Sequence, residues 1–283
     1  MPKRFVVVGA GGVGGWLLTG LAHFLEYREP GSALIIVDGD VFEAKNLERQ
    51  DFGNYGNKAE VRAEELQSRF PRTMIIPLAA WVVNDDHFAD SDVDTSSIET
   101  DIDSDIGRVG AIQLLEEGDV VFPVVDNFAT RRLIFDAARS FQNIDIISAG
   151  NDEGLFASGY VYRRRDGKDV TDHPIIMHEA EYLIPHDRNP GELSCAERAE
   201  VDGGHQLLVA NLAAATIALS MTHRYIFENE DPCPQSEMYL DLGEVTAYAA
   251  NRAADEESIE LASKLLDIKQ VATFTNTLQG VST

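Results

Sequence analysis

Cysteine is scarce in this chain: Cys195 and Cys233 are the only two among 283 residues. Two thiols cannot build a four-cysteine zinc site, and neither belongs to a Cys-x-x-Cys pair, so no zinc is expected. A disulfide between them is disfavoured in the cytoplasm, the compartment expected for this protein. Long apolar runs are missing as well. No stretch reaches the roughly 18 residues that span a bilayer, and the apolar segment at residues 5–8 is too short for the core of a signal peptide. Basic residues are also in short supply, with 23 Lys and Arg against 48 Asp and Glu, a formal net charge of −25. Such a surface repels nucleic acid and anionic membranes and favours basic partners. What is left, 44% hydrophobic and 25% charged, is an ordinary globular composition with enough apolar residues for one large domain.

Periodicity gives the order of elements. Residues 5–8 read as a buried parallel strand, residues 12–29 as a helix with Trp16, Leu17, Leu21, Phe24 and Leu25 at helical spacing, and Ala33–Val37 as a second buried strand. A helix over 58–70 and a strand with its exit over 73–83 complete strand–helix–strand–helix–strand, the first half of a doubly wound sheet. Residues 84–105 are rich in Asp and Ser. Asp90, Asp92 and Asp94 alternate as calcium ligands do, as do Asp101, Asp103 and Asp105. Neither set has the glycine and glutamate that a calcium loop requires, so an acidic surface loop is expected. A helix over 109–117, a strand over 119–125, a helix over 130–139 and a short strand over 145–148 follow. Beyond Gly150 come a strand at 159–162 in a smaller second layer, a hairpin tip at 163–167, a helix over 205–225, a strand pair within 237–248 and an amphipathic helix over 255–270. The fold class expected is α/β: a doubly wound, mostly parallel Rossmann-like sheet with a C-terminal α/β extension.

The chemistry concentrates in the first half. Gly9-Ala10-Gly11-Gly12-Val13-Gly14 follows a strand and opens a helix, the setting in which small residues let backbone amides approach a phosphate and the helix dipole favours it. Asp38, at the end of the next strand in Val37-Asp38-Gly39-Asp40, stands where a carboxylate accepts ribose hydroxyls. A lone glycine loop says only that a nucleotide binds. Arg49 and Lys58, shortly after that acid, suit a triphosphate better than a nicotinamide. Activation of a carboxylate at the α-phosphate builds negative charge on the leaving pyrophosphate, which cations and Mg²⁺ must meet. Asp126 closes the fourth strand at the same edge, where it could hold the metal. A hydride-transferring enzyme needs none of these.

These residues carry a family resemblance. The glycine loop, Asp38-Gly39-Asp40, Asn46-Leu47-Glu48-Arg49-Gln50, Lys58, and Val124-Val125-Asp126-Asn127 followed by Arg131 stand in the order of the ThiF/MoeB superfamily of ubiquitin-activating-type adenylyltransferases, and the chain resembles its compact bacterial members. The resemblance implies that Asp38 holds the ribose, Arg49 and Lys58 the phosphates, and Asp126 Mg²⁺, with Asp40, Asn46, Gln50 and Asn127 also at the nucleotide. It implies a single adenylation domain over 1–283, with a nucleotide-binding half (1–150) and a half (151–283) that binds a carrier protein. The activity implied is ATP-dependent adenylation of the C-terminal carboxylate of a small ubiquitin-like or sulfur-carrier protein, with a possible downstream conjugating protein and a homodimeric assembly. The resemblance weakens beyond residue 150 but continues through Leu193-Ser194-Cys195-Ala196-Glu197. Cys195 has two readings there, a nucleophile that takes the acyl group as a thioester or a small buried side chain; Cys233, between two prolines, is incidental. Three departures from the family stand out: no zinc-binding cysteine pairs, no helix before the first strand to lend an arginine to a neighbouring subunit, and a longer acidic segment at 84–105. A catalytically idle nucleotide-binding scaffold is the alternative, and an NAD-dependent oxidoreductase a third reading.

Overall fold

The computed structural model describes residues 2–48, 50–85, 106–151, 155–183, 186–193, 197, 207–232, 237–242 and 246–250. The short apolar segments become the parallel half of one sheet: β1 (Arg4–Val8), β2 (Ala33–Val37), β3 (Met74–Leu78), β6 (Val120–Pro123) and β7 (Ile144–Asn151). Two further strands, β4 (Ala80–Val83) and β5 (Gly107–Gly110), pair in parallel as a separate small sheet. The chain then adds β8 (Phe156–Arg165), β9 (Lys168–Asp169), β10 (Glu237–Asp241) and β11 (Thr246–Ala250), all antiparallel. The main sheet runs in the order β11-β10-β8-β7-β6-β1-β2-β3, with β9 beside β8.

Burial on both faces explains why the parallel strands are apolar without alternation. In β1, Phe5 and Val7 enter one core cluster while Val6 and Val8 enter the other. The first face is covered by α1 (Gly12–Arg28), α2 (Lys58–Gln67) and a late helix described below; the second is covered by α3 (Ala111–Leu114) and α4 (Phe128–Ala138), with α5 (Pro174–Met177) and α6 (Glu179–Leu183) beyond them. The late helix, α7 (Leu208–Met221), continues as a wider π-type turn through Thr222–Phe227. It buries an alanine face through Ala210, Ala213, Ala214 and Ala218, and leaves Leu208, Val209 and Leu212 exposed. No described helix is long and apolar enough to cross a membrane.

Three expectations need correction. The helix expected over 109–117 is split: Val109 belongs to β5, Gly110 is extended, and only Ala111–Leu114 is helical before Leu115 returns to an extended conformation. The Asp85 carboxylate accepts the Ile112 amide (3.1 Å), and Asp119 accepts that of Glu116 (2.9 Å), so local side-chain bonds replace the helical ladder. The strand at 159–162 does not form a second layer; as part of β8 it pairs antiparallel with β7 and extends the main sheet. The turn is only Asp166-Gly167, both at positive φ, because Arg163 and Arg164 are buried in β8 by Asp145 and Asp169. The expected helix at 255–270, and the acidic segment apart from Asn84 and Asp85, lie outside the described residues.

One acid at the foot of β6 makes a stability prediction. Asp119 is 1% exposed, and burial pushes its carboxyl up to about 7, with the Arg4 guanidinium pulling the other way. A raised carboxyl favours the protonated folded form, so its contribution to stability is full below the unfolded pKa near 4 and is lost as pH rises through about 7. Asp119→Asn cannot ionise, and Arg4 keeps its ion pair with Glu116. Chemical denaturation should therefore find the variant about 2 kcal/mol more stable than wild type at pH 8, a gain that shrinks toward pH 4.5. A gain independent of pH would show that Asp119 is ionised throughout.

Candidate active site

The sheet's carboxyl edge gathers the loops after β1, β2 and β6, and the strand order reverses between β1 and β6, the position where open α/β sheets bind ligands. The loop after β1 is built by its glycines. Gly9 sits at φ +99°, and a side chain at Gly14 would collide with the Gly9 carbonyl. The Gly9 amide is tied to the Val37 carbonyl (2.9 Å), and the Ala10 amide to Asp38 Oδ2 (2.6 Å). Gly11 is the N-cap of α1, and no side chain among the described residues caps it; the first turn carries no acid either. Its free amides and dipole leave an anion site at Gly11 and Gly12.

Around that turn the structure brings together most of the predicted residues. Asp38 accepts the amides of Ala10 and Asp40 (2.6 and 2.8 Å). Burial raises its carboxyl above the usual carboxylate range, against the pull of Lys58 and those two amides. Lys58 opens α2 and is 7% exposed, and its ammonium bonds the Asp40 carboxylate. Burial alone would depress the ammonium. The charges of Asp38 and Asp40, the bond to Asp40 and the charge of Asp126 outweigh it and hold the pKa above that of an ordinary lysine. Lys58 is a fixed cation. A side chain built on Gly11 would lie 3.6 Å from Gln50 Nε2 and 4.0 Å from Lys58 Nζ, so both line the loop. Gln50 is buried, and its Oε1 has no partner among the described residues.

Asp126 is exposed just past β6 and makes no hydrogen bond with the described residues, although its charge reaches Lys58. That suits a Mg²⁺ ligand, because Mg²⁺ takes one or two carboxylates and completes its shell with phosphate and water. Among the described residues no group of three His, Cys, Asp or Glu side chains forms a metal cage. Asn46 and Asn127 each hold local backbone at this edge. Asn46 Oδ1 accepts the Glu43 amide (2.8 Å), stabilising the short 3₁₀ turn Ala44–Glu48, and Asn127 caps α4 through the Thr130 amide (2.8 Å). Arg49 and Cys195 lie outside the described residues, as does Cys233.

Three residues outside the predicted set also shape the site. Asn57 caps α2 through the amides of Ala59 and Glu60, and its Nδ2 donates to the carbonyls of Asp38 and Asp40 (2.8 and 3.1 Å). It fixes the strand end to the lysine helix, and an asparagine just before a helix is a legible cap. Asp187, 59 positions from Phe128, accepts the amides of Phe128 (2.6 Å) and Ala129 (3.0 Å) at the start of α4. Nothing local announces that contact. It closes the α4 terminus with a carboxylate, which the first turn of α1 lacks. Arg131 donates to the Val125 carbonyl through Nε (3.0 Å) and Nη2 (2.6 Å) and to Ser148 Oγ (3.2 Å), holding the backbone just before Asp126.

Comparison with known proteins follows the same lines. The model of the ThiF family matches residues 2–169. Among solved structures, Escherichia coli MccB with ATP superposes with a TM-score of 0.57 at 17% identity, covering 90% of this chain and 65% of that one. The microcin C7 biosynthetic enzyme MccB in complex with N-formylated MccA gives 0.58 at 17%, covering 90% and 66%. PaaA gives 0.58 at 16%, covering 88% and 63%. The chain thus spans slightly less than two thirds of the length of these structures. No curated protein matches it.

Proposed function

The chain belongs to the ThiF family, and on that premise we propose that it uses ATP and Mg²⁺ to adenylate the C-terminal carboxylate of a peptide or small protein. The observation that carries this reading is the convergence of Lys58, Asp38, Asp40 and Gln50 on an uncapped glycine turn, with Asp126 across the same edge. Hydride transfer makes no use of a buried cation held at the phosphates. Attack of a carboxylate oxygen on the α-phosphate forms a C–O–P bond and breaks the bond to pyrophosphate, and Lys58 meets the charge that grows there. Mg²⁺ bound at Asp126 would neutralise the phosphate oxygens. MccB has been solved with ATP and in complex with N-formylated MccA, which supports ATP and a second substrate on this fold. We place the carboxylate on a small ubiquitin-like or sulfur-carrier protein and the enzyme in a homodimer. The −25 charge favours a carrier with a basic face over any nucleic acid.

In the same reading, Cys195 takes the acyl group. Its thiol loses a proton, the thiolate attacks the acyl-adenylate carbonyl, a C–S bond forms, and AMP leaves with the C–O bond electrons. One experiment tests both steps. Wild-type enzyme with its carrier and Mg-ATP should exchange labelled pyrophosphate into ATP and form a thiol-labile adduct. Cys195→Ala should lose the adduct and keep exchange within about twofold, because adenylation needs charge at the phosphates and not the thiolate. An adduct on Cys233 would move the acceptor. The absence of exchange with every carboxyl-terminal substrate offered would end the adenylation reading.

A further inference from the structure

α1 and α7 lie side by side, parallel and in register. Gly12 faces Asn211, Gly20 faces Leu219, the rings of Phe24 and His223 stand 6.2 Å apart, and Arg28 bonds Glu228 at 2.6 Å. Both helices therefore begin at the same edge of the molecule, and their positive dipole ends lie together. Most of the buried face of α7 is alanine. Asn211 is the one polar side chain on it: it is fully buried, and neither polar atom of its carboxamide finds a partner among the described residues.

The whole carboxamide packs on Gly12: a methyl built there would lie 2.6 Å from Asn211 Nδ2 and 2.9 Å from both Cγ and Oδ1, and Cβ atoms tilt toward the start of their helix. The carboxamide thus sits on the side of α1 that faces its uncapped first turn. Two of the other helices have their ends satisfied, α2 by Asn57 and α4 by Asn127 with Asp187, whereas the N-terminus of α7, beside that of α1, has no side-chain cap among the described residues. A buried amide without a partner destabilises a protein, and an apolar side chain would pack this position at no such penalty. An asparagine here makes sense when something at the first turn of α1 completes its bonding.

We propose that Asn211 is a further nucleotide-binding residue, its Nδ2 donating to an oxygen of the ATP phosphate chain held at the first turn of α1. The proposal rests on the ATP reading given above. Its consequence is a trade between stability and binding. Removing the amide relieves the free protein and penalises the complex.

Thermal unfolding and calorimetric titration with Mg-ATP test it, using wild type, Asn211→Ala and the isosteric Asn211→Asp. Without nucleotide, Asn211→Ala should melt no lower than wild type. It should bind Mg-ATP roughly tenfold more weakly, the effect of one hydrogen bond to a charged group, with a correspondingly smaller ligand-induced rise in melting temperature. Asn211→Asp keeps the shape, loses the donor and should bind more weakly still. Either variant, folded and binding Mg-ATP as tightly as wild type, overturns the assignment. Failure of wild type to bind Mg-ATP removes the ATP reading itself, and this inference with it.

Discussion

Lys58→Ala is expected to lower carrier-dependent pyrophosphate exchange by about two to three orders of magnitude, the usual effect of deleting a preorganised donor from a developing charge. The size follows from where the cation sits. Its ammonium is buried beside Asp38 and Asp40, stays charged through the whole physiological range, and needs no rearrangement when charge appears on the phosphates. Truncation removes the cation and also leaves the two acids facing the phosphate site, which turns an attractive field repulsive. Lys58→Arg keeps the charge but replaces a compact ammonium with a broad fork in a tight space, so exchange should be intermediate. The Asp38 carboxyl, already raised by burial, should rise further in Lys58→Ala, because the cation that opposes that rise is gone. The structural risk is modest, since Asn57 still caps α2 and holds the carbonyls of Asp38 and Asp40. Circular dichroism should show an unchanged fold, and exchange within fivefold of wild type would remove Lys58 from the phosphates.

How much of this could be read beforehand varies with the range of the interaction. β1, α1 and β2 are legible because local signals agree: a strand without alternation, a glycine turn, then helical spacing. The positions of Lys58 and Asp38 in the fold are legible for the same reason, each standing at the start or end of an element that local pattern fixes. The 109–117 segment misled because its apolar spacing suits a helix, while the deciding contacts come from Asp85 and Asp119 and from pairing with β4. β8 could not be assigned to the main sheet from sequence, because antiparallel addition at an edge leaves no local mark. Asp187 and Asn211 were invisible for a sharper reason. Each meets its target across a large sequence separation, 59 positions for Asp187 to Phe128, and neither side chain follows any motif. Asn46 and Asn127 fall in the motif, and what the sequence does not show is that the oxygen of each side chain also stabilises a turn or caps a helix.

Asp126 carries the other large effect, and the structure gives it a test distinct from that of Lys58. Its carboxylate is exposed, unbonded among the described residues, and fixed in position by the backbone that Arg131 grips at Val125. No described residue bonds that side chain, so Asp126→Ala and Asp126→Asn should melt within a degree or two of wild type. Exchange should nevertheless fall about 100-fold, because the phosphates would lose the protein ligand that places Mg²⁺. The two variants separate coordination from charge. If Asp126 acts only by supporting the charge of Lys58, both should behave alike and added metal should not help. If it holds the metal, Asn retains an oxygen ligand. In that case Asp126→Asn should recover part of the lost rate as Mg²⁺ is raised or Mn²⁺ substituted, whereas Asp126→Ala should recover little. Nucleotide affinity measured with chelator present should be the same in all three proteins. Exchange that survives Asp126→Ala within a few-fold would place the metal on another carboxylate, and Asp40, the other exposed acid beside Lys58, would be the next residue to replace.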